Sequence, residues 1–76
     1  GTAGCGDVLT GVITVLLAQG YSQEDACTLG VFLHGLAGDI AAEEKGVYSL
    51  TASDVIEALP KAFLQVGKLA TTEMPH

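Results

Sequence analysis

The chain has 76 residues, a formal net charge of −6 and a mean hydropathy of +0.45. Nine acids against three lysines argue against a nucleic acid or an anionic membrane as partner, because both are met by basic patches. No apolar run approaches the roughly 20 residues that span a bilayer, and none follows a basic segment as in a signal peptide. A chain this short hides only about 60–65% of its unfolded surface. Yet 49% of its residues are hydrophobic, which suits a fragment of a larger core better than an independent domain. A start inside a glycine loop, without an initiator Met, points the same way.

The first stretch, Gly1 to Gly11, holds a glycine cluster (Gly1, Gly4, Gly6) followed by Asp7 and an uncharged run from Val8 to Ala18. Glycine lets a ligand approach the main chain closely. The free N–H groups of Gly4, Cys5 and Gly6 at a helix start form an anion site, and Asp7 sits at its lip. The plainer reading is a tight turn with Asp as an ordinary N-terminal helix residue. Neither a Walker loop nor the Gly-x-Gly-x-x-Gly dinucleotide fingerprint is present.

Three helices follow. The first is expected from about Gly6 to Gln19, with apolar positions over most of its circumference, as in a helix buried on nearly all sides. Gly11 inside it costs about 1 kcal/mol relative to Ala, which implies close packing or a ligand. Gly20 is placed as its C-cap. The second starts at Ser22, with Asp25 in the third position of a capping box, and runs to about Lys45 with Gly46 beyond. Its stripe is Ala26, Leu29, Gly30, Leu33, Ala37, Ile40 and Ala41; Gly30, Gly35 and Gly38 imply tight neighbours. Glu43, Glu44 and Lys45 read as a solvated end. Thr51 and Asp54 form the capping box of the third helix, whose core face is expected to hold Val55, Ile56, Leu59, Phe63, Leu64 and Val66. Pro60 should kink or interrupt it near Leu59. Residues 46–50 are too short for more than a loop or edge, and 71–76 read as a disordered tail. The fold class is therefore all-α within one unit, residues 1–76.

His34, in mid-helix, reads most simply as a half-buried histidine satisfied by one hydrogen bond; the alternative is a ligand-facing histidine beside Gly35. Asp39, five residues on, lies about 140° away around the helix and is no simple partner. No metal site is expected, since no second His or Cys lies one turn from His34 and the spacing of Cys5 and Cys27 matches no ligand set. The two cysteines read as reduced thiols of a cytoplasmic protein. Cys5 lacks an evident base for a nucleophilic role.

Gly-Cys-Gly-Asp-Val-Leu-Thr-Gly (4–11), Leu-His-Gly-Leu-Ala-Gly-Asp (33–39) and Leu-Thr-Ala-Ser-Asp-Val-Ile (50–56) together resemble the C-terminal part of the NAD(P)H-hydrate dehydratases, members of the ribokinase-like superfamily. Leu16 to Gly20 also matches, so the resemblance covers about Thr2 to Phe63. It implies a parent α/β domain of which this chain supplies the last helices. It also implies an ADP- or ATP-dependent lyase that repairs hydrated NADH or NADPH. Gly6, with Gly4 and Cys5 beside it, falls where the family contacts the nucleotide phosphate, and Asp7 where it contacts the hydrate. By analogy with related kinases, Asp7 takes the proton of the attacking hydroxyl. Cys5 stands where Ser or Thr is usual. His34 would face the nucleotide pocket. Mg2+ held mainly by phosphates, a homo-oligomer, and the remainder of the domain as partner complete the expectation. Two alternatives stand beside it: a ribokinase-like kinase of a small alcohol, and a non-catalytic helical assembly module.

Overall fold

The computed structural model describes the backbone of residues 5–47 and 50–73 and the side chains of 6–47 and 50–67. Three helices form in order, α1 Cys5–Ala18, α2 Gln23–Lys45 and α3 Ala52–Glu73, with no strand among the described residues. Each boundary has a local chemical cause. Gly20 adopts φ 101°, and two hydrogen bonds, Gly20 N–H to Leu17 O (3.0 Å) and Tyr21 N–H to Leu16 O (3.2 Å), close α1. That pairing is the Schellman motif, whose left-handed residue is glycine because a Cβ would clash. The Ser22 hydroxyl accepts from Asp25 N–H at 3.1 Å and starts α2. Gly46, at φ 85°, ends α2 with its N–H on Ala42 O.

The start of α3 is a complete capping box. Thr51 N–H and Thr51 Oγ1 both donate to Asp54 Oδ2 at 3.0 Å, and Asp54 N–H returns a 3.2 Å bond to Thr51 Oγ1. Pro60 does not interrupt α3, contrary to the expectation from its missing N–H. Pro60 is exposed, where the carbonyl it leaves unpaired can meet water, while Ala58 and Ala62 on the other side are buried. The helix also continues through 71–73, the first half of the expected tail; 74–76 lie outside the described residues.

α2 lies between the other two helices and packs against both. Its buried residues, Ala26, Gly30, Leu33, Ala37 and Ala41, repeat at helical spacing and are mostly small. They meet Val12 and Leu16 of α1 and Val55, Ala58 and Ala62 of α3 in one core. Leu16 and Leu33, each 1% exposed, are the largest fully buried side chains. Each contributes about 1.5–3 kcal/mol through burial. Gly30 has a packing reason, since a Cβ there would lie 2.7 Å from Ile13 Cγ1. Gly35 and Gly38 have none: a Cβ at either meets nothing within 4 Å, so the tight neighbours expected at all three glycines occur at one.

The core face of α3 also differs from expectation. Val55 is buried and Leu59, Phe63 and Val66 are partly buried, but Ile56 and Leu64 are exposed at 53% and 61%. Ala58 and Ala62 take their place. One residue along a helix is a 100° turn, so Ile56 and Leu64 sit off the stripe that faces α2. At the far end Lys61 pairs with Glu44, and Lys45 lies 3.9 Å from Asp54 and 3.7 Å from Glu57. The end of α2 is thus tied to α3 by ion pairs, each worth about 0–1 kcal/mol at this exposure.

Candidate functional site

α1 opens at Cys5, and the first N–H groups of any α-helix lack intrahelical partners. The turn that carries them is uncovered: Gly6 and Asp7 are both exposed. Thr10 Oγ1 donates to Gly6 O at 3.0 Å, and Thr14 Oγ1 donates to Thr10 O at 2.8 Å, bracing that turn from within. A Cβ at Gly6 would meet nothing within 4 Å, and its φ is not in the left-handed region. Neither backbone geometry nor packing among the described residues therefore calls for glycine there. The same holds for Gly11, where close packing or a ligand was expected; of the two, close packing is not found among the described residues. Asp7 makes no ion pair among the described residues. Gly4 and the Cys5 side chain lie outside the described residues.

His34 is half-buried, but its Nε2 is fully enclosed and has no hydrogen-bond partner among the described residues. The expected satisfied histidine is not what this atom shows. Buried polar atoms without partners are uncommon and call for an explanation. The short 19–22 connection makes α1 and α2 run antiparallel, and Gly30 faces Ile13. That register brings His34 to about the level of Leu9, in the half of the pair that carries Gly6 and Asp7. No hydrogen bond joins His34 to Asp7 or to the exposed Asp39. Among the described residues no group of three or more His, Cys, Asp or Glu side chains could hold a metal ion. Cys27 is an exposed free cysteine.

One feature escaped the sequence reading. Val8, Gly11, Val12 and Val15 of α1 and Ile56, Leu59 and Phe63 of α3 line an open hollow of about 340 Å3. Its rim leaves Val15 49% and Ile56 53% exposed, so α1 is not buried on nearly all sides in this chain. The signal was present in Gly11 and in the apolar residues that surround α1 on every side.

The sequence profile of the NAD(P)H-hydrate dehydratase family matches residues 1–61, a span that contains the whole α1 turn, His34 and the Thr51 capping box. The chain belongs to the NAD(P)H-hydrate dehydratase family. Among curated relatives, the bifunctional NAD(P)H-hydrate repair enzyme Nnr of Dictyoglomus turgidum is 54% identical over 65 residues, covering 86% of this chain and 13% of the relative. The enzyme of the same name from Thermofilum pendens is 56% identical over 61 residues, 80% of this chain and 12% of its own length. An ADP-dependent (S)-NAD(P)H-hydrate dehydratase of Natrialba magadii is 42% identical over 59 residues, 78% of this chain and 22% of its own. The chain thus spans about an eighth of the length of the first two. No solved structure gives a significant match. No described helix is long and apolar enough to cross a membrane.

Proposed function

We propose that this chain is the phosphate- and hydrate-facing end of an ADP- or ATP-dependent NAD(P)H-hydrate dehydratase, a cytoplasmic lyase. Its helices would flank the sheet of a ribokinase-like α/β domain. The observation that carries the reading is the exposed first turn of α1, where among the described residues Gly6 has no packing role and Asp7 no ion-pair partner, inside the segment matched to the family. The N–H groups of Gly4, Cys5 and Gly6 hold the nucleotide phosphate, helped by the positive end of the helix dipole. A chain with three lysines and nine acids must rely on such backbone donors within this segment.

Asp7 acts as general base. It takes the proton from the hydroxyl of the NAD(P)H hydrate while that oxygen attacks the terminal phosphoryl group of the nucleotide, whose bond to the preceding phosphate breaks. The phosphorylated hydrate then loses phosphate and a ring proton, restoring the double bond of the dihydronicotinamide. Mg2+ would be held mainly by the nucleotide phosphates, where it would offset the charge that develops on them. His34, half-buried, is given a place at the edge of the nucleotide pocket by this reading. The rest of the domain supplies the remaining catalytic groups, and the complete enzyme forms a homo-oligomer.

Exposed apolar residues on α1 and α3, Val15, Leu17, Ile56 and Leu64, favour one other reading, a non-catalytic helical module that assembles with another polypeptide. Amide hydrogen exchange on the complete protein separates the two. The dehydratase reading expects ADP or ATP to slow exchange in residues 4–11, and the nucleotide with hydrated NADH to regenerate NADH. Unchanged exchange in that stretch, together with no NADH formed, overturns it.

A further inference from the structure

We draw no further inference here: the strongest candidate, the apolar hollow between α1 and α3 lined by Val8, Gly11, Val15, Ile56 and Phe63, is an unpartnered face, and nothing in the structure shows what covers it.

Discussion

The first turn of α1 and the α2–α3 pair use small residues for different ends. Between α2 and α3, Ala37, Ala41, Ala58 and Ala62 are all at most 3% exposed, and across α2 Gly30 admits Ile13 of α1. Each of these residues is buried against a neighbouring helix, whereas Gly35 and Gly38 of α2 have open space. At the start of α1, Gly6 and Gly11 have no neighbour within 4 Å of a would-be Cβ, and both are exposed. A helical glycine costs about 1 kcal/mol relative to Ala. At Gly6 and Gly11, as at Gly35 and Gly38, nothing among the described residues repays that cost. The contrast separates residues that build the helices from residues the helices present.

Substitutions can break this contrast, and the largest effect belongs to Asp7. In the complete enzyme Asp7→Asn keeps the shape and the capping capacity but cannot accept a proton. Turnover should fall about 10²–10⁴-fold, with nucleotide affinity equal or better and melting temperature nearly unchanged. Near-normal turnover with earlier melting would make Asp7 a helix-end residue only. Next comes Gly6→Val, which puts a branched side chain at the proposed phosphate site. Nucleotide affinity should drop at least about tenfold, the loss of one charge-assisted hydrogen bond of about 1.5 kcal/mol or more. Helix content by circular dichroism should barely change, since the site has room. Undiminished affinity in a calorimetric titration would place the phosphate elsewhere.

The packing side of the comparison predicts smaller effects, all on stability. Gly30→Val drives a side chain against Ile13, whose Cγ1 would lie 2.7 Å from the new Cβ, and should cost about 1–3 kcal/mol in urea unfolding. Pairing it with Ile13→Ala should recover part of that loss; strict additivity would show that the contact is not the cause. Thr51→Ala removes the hydroxyl that both accepts from Asp54 N–H and donates to its carboxylate, for about 1 kcal/mol. Gly35→Ala runs the other way. With open space and helical backbone it should stabilise the chain by up to about 1 kcal/mol, and a loss instead would reveal a neighbour at that face.

The local signals were legible because they act over a few residues. Ser22 with Asp25, Thr51 with Asp54, and the glycines at 20 and 46 each complete their hydrogen bonds within one turn, and the helices begin and end beside them. Even the core stripe of α2 could be read, since its apolar and small residues fall on one face. The candidate site was legible only as a glycine turn with an acid; its exposure and lack of internal packing needed coordinates.

What tertiary structure alone decided is which face of an apolar helix is covered. α1 carries apolar residues all round and α3 on more than one side, so periodicity offers several faces of similar hydrophobicity. Ile56 and Leu64 are larger than Ala58 and Ala62 and looked like better core residues, yet the alanines are buried and the larger pair exposed. The reason is geometric. Apart from Leu33, the stripe of α2 is built of Ala and Gly, so the neighbouring helix approaches closely with small side chains between the axes, with Val55 and the partly buried Leu59, Phe63 and Val66 filling in around them.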